Sequence, residues 1–105
     1  MLSNSAPEWL RVEEVHYYRH RKQGKPDSLR VQYRSGLNVY SEWICLEHGG
    51  FPREKAVQWW RRRAPEIPVP NSIDEALENT KHLESPLEIA VRRTGKYFEI
   101  VGARL

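Results

Sequence analysis

Cysteine is nearly absent: Cys45 is the single one in 105 residues, which excludes an internal disulfide. Its neighbours Trp43, Ile44 and Leu46 are apolar, so a buried thiol in a reducing compartment is expected. No apolar run approaches the roughly 20 residues of a membrane-spanning helix. The first residues, MLSNSAPEW, lack the basic end and apolar centre of a signal peptide, and a cytoplasmic protein is the expectation. Also missing is the nucleotide-hydrolysis signature in which a glycine-rich loop ends in Gly-Lys-Ser/Thr. Gly24-Lys25 and Gly95-Lys96 have neither the upstream glycine nor the following hydroxyl.

Other catalytic and metal signatures are equally thin. Cys45 and His48 have the spacing of half a zinc site, with His16 or His20 as conceivable partners, but a second close pair is absent. Ser41, Cys45 and the four histidines form no nucleophile motif. Glu42, Glu47 and Glu54 carry no information as an acid–base pair in so carboxylate-rich a chain. Asp74-Glu75-Ala76-Leu77 superficially looks like a helicase D-E-A-D box, yet it follows a helix-capping serine and reads as a helix start. Neither an enzyme nor a cofactor is expected.

What is present points to one ordered body. Hydrophobic residues make up 39% and charged residues 30%, with four Trp and five Tyr, a composition that suits a small globular domain and not disorder. The net charge of +3 is unevenly spread. From His16 to Arg34 the cations Arg19, Arg21, Lys22, Lys25, Arg30 and Arg34 face only Asp27. From Ala64 to Ala90 the acids Glu66, Asp74, Glu75, Glu78, Glu84 and Glu88 face only Lys81. Such asymmetry suits one surface turned toward a polyanion and another turned away.

Along the chain, residues 1–8 read as an untied leader or linker remnant and 9–105 as a single domain. Trp9 to Arg21 reads as a long strand, with a bulge near Glu13-Glu14 because Val12 and Val15 are out of step. After the turn chemistry of residues 22–28, Leu29, Val31 and Tyr33 alternate with Arg30, Gln32 and Arg34 in a clear strand. Leu37 to Glu47 follows as a third strand, apolar enough near its end to be buried on both faces. Gly49-Gly50 closes the sheet, and Pro52 opens a helix over 53–63 with Ala56, Trp59 and Trp60 on its apolar stripe. Trp59 and Trp60 lie about 100° apart on that helix, so one is expected to plug the core and the other to cover its edge. Arg61, Arg62 and Arg63 occupy its last turn, where the carbonyl end of the dipole favours cations.

Ser72 with Glu75 is a capping box opening a shorter helix to about Lys81. Leu87, Ile89 and Val91 alternate into a turn at Thr94-Gly95 and a last strand from Tyr97 to Gly102. The order β-β-β-α(α)-β-β predicts a mainly β, α+β fold of the five-stranded, oligonucleotide/oligosaccharide-binding (OB) barrel type. A split α+β sheet with helices on one face is the alternative.

An OB barrel takes single strands across its second and third strands, framed by the loops after the first and fourth. Those places hold Arg30, Gln32 and Arg34 on a strand, Arg21, Lys22 and Lys25 in one loop, and Arg92, Arg93 and Lys96 in the other. Tyr18 and Tyr40 are the candidate base-stacking rings. Single-stranded DNA is the favoured ligand, bound by a monomer mainly through phosphate contacts. Trp59, Arg61 and Arg62 are the alternative: a docking patch for another protein domain.

The stretch Tyr40-Ser41-Glu42-Trp43-Ile44-Cys45-Leu46-Glu47-His48, with Phe51, Arg53, Lys55-Ala56 and Trp59-Trp60-Arg61, resembles the C-terminal extension of bacterial and phage superfamily II (DEAD/DEAH-box) ATP-dependent helicases. Gly95-Lys96-Tyr97-Phe98-Glu99-Ile100 looks like the closing hairpin of the same region. The resemblance is strongest over 29–63 and returns at 87–102. It implies an accessory domain of an ATP-dependent helicase, whose ATP-binding motor lies in other sequence and is itself a partner for this chain.

Overall fold

The computed structural model describes residues 6–24, 27–44, 46 and 53–105. They form an α+β domain with six strands in two three-stranded antiparallel sheets and two helices. In chain order these are β1 (Glu8–Arg11), β2 (Glu14–His20), β3 (Ser28–Ser35), β4 (Asn38–Ile44), α1 (Arg53–Arg63), α2 (Ile73–Thr80), β5 (Glu88–Thr94) and β6 (Tyr97–Arg104). One sheet runs β1-β5-β6 and the other β2-β3-β4.

The expected long first strand is two strands. At the break, Val12 N–H donates to Leu87 O at 2.8 Å, whereas Glu13 N–H donates to Arg34 O at 2.9 Å. Successive residues therefore bond toward different sheets, which explains why Val12 and Val15 are out of step. The bulge expected at Glu13-Glu14 is thus a change of sheet, and the strand count rises from five to six. No closed barrel forms among the described residues. Glu8, read as leader, belongs to β1 and pairs with Val91.

Antiparallel register joins Trp9 to Ala90 and Leu10 to Ile89, and on the other side Arg92 to Glu99 and Arg93 to Phe98. A register shift between Ala90 and Val91 marks a bulge there. The β3–β4 and β5–β6 turns each place glycine first in a two-residue loop, Gly36 at φ +59° and Gly95 at φ +60°. No other residue type has positive φ among those described, which excludes a type I′ turn and matches type II′.

The described residues group into two compact units. The first comprises Met1–His16, Gln32–Glu42 and Glu84–Leu105. Its buried side chains include Tyr33, Pro86, Ile89, Ala90 and Val91. Tyr33 Oη donates to Glu42 at 2.7 Å, so the one polar atom of this buried ring is satisfied. On the other sheet of this unit, the Trp9 ring sits where a side chain on Gly102 would meet it, and Arg104 Cζ stacks 3.6 Å from the ring centre.

The second unit comprises Tyr17–Val31 and Trp43–Leu83. Its buried residues among those described are Ser28, Leu29, Val31, Ile44, Leu46, Ala56, Trp59, Trp60, Ala64, Pro70, Ile73 and Ala76. Both helical tryptophans are interior, at 4% and 0% exposure, and meet edge to face with centres 4.9 Å apart. This corrects the expectation that one would only cover the edge. Arg63 Cζ lies over Trp59 at 5.3 Å and its guanidinium donates to Tyr17 Oη at 2.7 Å, so the same planar head faces the ring and reaches a hydroxyl. At α2, Ser72 Oγ accepts from Glu75 N–H at 3.1 Å and Glu75 accepts from Asn71 N–H at 3.2 Å. The Asp-Glu-Ala-Leu stretch is accordingly a capped helix start. Asp74 pairs with Arg19.

Candidate functional site

Period-two alternation divides β3 as the sequence predicts, with Leu29, Val31 and Tyr33 buried and Arg30, Gln32 and Arg34 on the opposite row. Arg30, in the second unit, is the centre of a cation–aromatic cluster. Its Cζ lies 4.9 Å from the Trp43 ring centre on β4 and 5.6 Å from that of Tyr18 on β2. His20 meets Trp43 edge to face at 6.1 Å. Because side chains two apart share a strand face, Tyr18 and His20 extend the same patch along β2. Trp43 is 53% exposed, whereas its neighbour Ile44 is buried.

A guanidinium near each ring adds about 0.5–1 kcal/mol at such partly exposed sites. The cluster thereby combines an aromatic face open to solvent with a planar cation, a pairing that suits a flat ring next to an anion.

Of the other expected site residues, Gln32 lies half-buried in the same β3 row. Arg34, in the first unit, is held by Glu13 at 2.8 Å and by Glu14 at 3.2 Å. The hydrogen bond from Arg34, with help from His16, pulls the Glu14 carboxyl below the ordinary carboxylate value, and the same bond raises the Arg34 pKa. Two carboxylates thus compensate this cation. Tyr40 was expected among exposed stacking rings but sits in the other β4 row, with Glu42, and packs edge to face on Phe98 at 5.6 Å.

Arg21 pairs with Asp27 at 3.3 Å, and Arg19 also reaches Asp27. Lys22 is exposed, and Lys25 lies outside the described residues. Arg92 pairs with Glu99 at 3.2 Å, while Arg93 and Lys96 are exposed at the β5–β6 turn. The set considered for docking divides: Trp59 is interior, and Arg61 and Arg62 are exposed at the end of α1. Cys45, His48, Gly49-Gly50 and Pro52 lie outside the described residues, so the buried thiol, the half zinc pair, the sheet end and the helix-opening proline do too. Among the described residues no cluster of three or more His, Cys, Asp or Glu is placed to hold a metal ion.

Sequence reasoning does not place Trp43 or His20 beside Arg30. Trp43 was assigned to a doubly buried strand end, and the available signal was alternation: with Ile44 and Leu46 buried, Trp43 must face the other way.

No protein-family model matches this chain, and no curated protein matches it. Nor is any helix among the described residues long and apolar enough to cross a membrane.

Proposed function

We propose that this chain is a non-catalytic nucleic-acid-binding domain that holds single-stranded or unwound DNA. The observation that carries this reading is the Arg30 guanidinium between Tyr18 and the half-exposed Trp43. A base stacks on an exposed indole for about 1–3 kcal/mol whatever its identity, and the adjacent guanidinium places a positive charge beside it, where a phosphate is favoured. A duplex hides its base faces, so an aromatic platform selects unpaired strands.

The finer architecture belongs to the same proposal: an OB-like arrangement left open between β4 and β6. The passage of the chain from β1 on β5 to β2 on β3 supports it, as does the contact of Tyr40 on β4 with Phe98 on β6. The resemblance of 29–63 and 87–102 to a helicase extension supports an accessory role beside an ATP-driven motor, in the cytoplasm. Docking onto that motor through α1 is the weaker reading, since interior Trp59 leaves only Arg61 and Arg62 on offer.

The test is fluorescence anisotropy with a labelled oligo-dT of about 15 nucleotides at about 50 and 200 mM salt. Saturable binding that weakens with salt and is reduced by Trp43→Ala is the expected result. A folded wild-type protein that fails to bind at the lower salt overturns the reading.

A further inference from the structure

The residues of α1 divide into two sides around its axis. At about 100° per residue, Glu54, Lys55, Gln58, Arg61 and Arg62 fall within one arc of about 120°. All five are exposed. The opposite side carries Ala56, Trp59 and Trp60, which are buried. Lys55 and Arg62 are two turns apart, so they lie nearly one above the other, about 10 Å apart along the axis with Gln58 between them. The helix thus presents one continuous outer face that holds no apolar group.

That face is positive. It carries three cations against one carboxylate, Glu54. Over residues 53–66 five cations stand against Glu54 and Glu66, and Glu66 lies beyond the helix end. Lys55, Arg61 and Arg62 make no ion pair among the described residues, whereas Arg19, Arg21, Arg34, Arg92 and Arg104 each meet a carboxylate.

Helix formation accounts for only part of this charge. Cations in the last turn are favoured by the carbonyl end of the dipole, which covers Arg61 and Arg62. Lys55 stands in the first turn, where the N–H end of the dipole disfavours a cation. Arg63 shows what a packed arginine does on this helix, since its guanidinium meets Trp59 and Tyr17. No such contact holds Lys55, Arg61 or Arg62 among the described residues.

We propose that the outer face of α1 is a second nucleic-acid contact, a cationic stripe that takes the phosphate backbone whether the bases are paired or not. Charge complementarity selects this occupant, and a stripe of about 10 Å spans roughly three phosphates at about 3.4 Å of rise each along a duplex strand. The composition separates it from a protein-docking surface: interface cores between proteins are depleted in charge and enriched in aromatic rings, whereas Arg, Lys and Gln side chains are ordinary phosphate partners. The stripe shares no residue with the Tyr18–Arg30–Trp43 cluster and exposes no ring. It therefore goes beyond the strand-holding reading and does not depend on it.

The test uses the full chain and a labelled blunt duplex of about 15 base pairs, followed by anisotropy at salt concentrations from about 50 to 200 mM. A duplex hides its base faces, so its binding reports on α1 separately from the Trp43 platform. Wild type is expected to bind, more weakly as salt rises. Lys55→Gln/Arg61→Gln/Arg62→Gln should bind about tenfold or more weakly at the lowest salt, with a salt slope flatter by about 0.9 per lost contact, roughly 2.7 in all. Trp43→Ala should bind as wild type does, and so nearly should Arg11→Gln/Lys81→Gln/Arg104→Gln, which removes the same charge from other elements. Circular dichroism of each variant must match wild type. Lys55→Gln, which gives up no dipole stabilisation, serves as a second variant, its slope flatter by about 0.9.

Failure of the duplex to bind, an equal loss in the charge-matched control, or displacement by poly-glutamate as readily as by unlabelled duplex overturns the proposal. The last of these outcomes assigns the face to an acidic protein surface. A chain that binds the duplex but not oligo-dT keeps the stripe and refutes the Trp43 platform, and one that binds only oligo-dT does the reverse.

Discussion

The guanidinium carbon of Arg30 stands 4.9 Å from the centre of the Trp43 ring, on a strand row opposite the buried Leu29 and Val31. The cation and the ring thus occupy the solvent side of β3 and β4 while their immediate neighbours build the core. Substitutions at the two sets of residues should separate binding from stability.

Trp43→Ala is expected to weaken oligo-dT binding by about 1–3 kcal/mol, the loss of one stacked base. Trp43→Phe should retain most of the affinity because it keeps a π face. Stability to urea should fall by only about 1 kcal/mol, through loss of the Arg30 contact and of the covered part of the ring. Unchanged affinity in the alanine variant would take Trp43 out of the interface.

Arg30→Gln and Arg34→Gln should behave differently although both belong to one β3 row, because Arg30 lies beside the half-exposed Trp43 ring and Arg34 lies between two carboxylates. The first should reduce the steepness of the salt dependence of binding by about 0.7, the loss of one phosphate contact on a single strand. Arg34 already compensates Glu13 and Glu14, so its glutamine variant should leave that slope nearly unchanged. Titrations at four salt concentrations measure both slopes, and equal effects would contradict the assignment.

Trp60→Ala should destabilise the domain by about 3–5 kcal/mol, as expected for a fully buried aromatic ring. Ser72→Ala should cost about 1 kcal/mol through loss of the bond to Glu75 N–H, and Ser72→Gly only a few tenths. Urea midpoints distinguish these values, and a small effect of Trp60→Ala would contradict its place in the core.

Acid should selectively remove the contribution of Glu14. Its folded-state pKa is depressed below the ordinary 4.5, chiefly by the Arg34 hydrogen bond. A carboxyl with a lowered folded value adds stability that is fully present above its unfolded value and is lost as pH falls through the folded one. The melting-temperature difference between wild type and Glu14→Gln should therefore be largest above pH 4.5 and close below it. A difference that grows toward acid would reverse the sign and refute the pairing.

Local patterns foretold much of this architecture. Alternation over residues 29–34 assigned the rows of β3 correctly, because a strand face is a property of neighbouring residues. The bounds of α1 and the Ser72 cap of α2 were also readable, since capping depends on atoms three residues apart. Trp43 was harder, because an apolar run reads alike whether one face or both are covered. The ion pairs of Arg34 with Glu13 and Glu14 link residues about 20 apart in the chain, which no spacing rule anticipates.

Short-range chemistry thus settles the helices, the glycine-led turns and the distribution of basic residues, because each depends on side chains within a few positions. Long-range pairing settles the rest. It divides the first strand between two sheets at Val12 and Glu13, compensates Arg34 and turns Tyr40 onto Phe98. It also brings Tyr18, Arg30 and Trp43 from three strands into one cluster, because hydrogen-bonding partners and register are chosen by the whole folded chain.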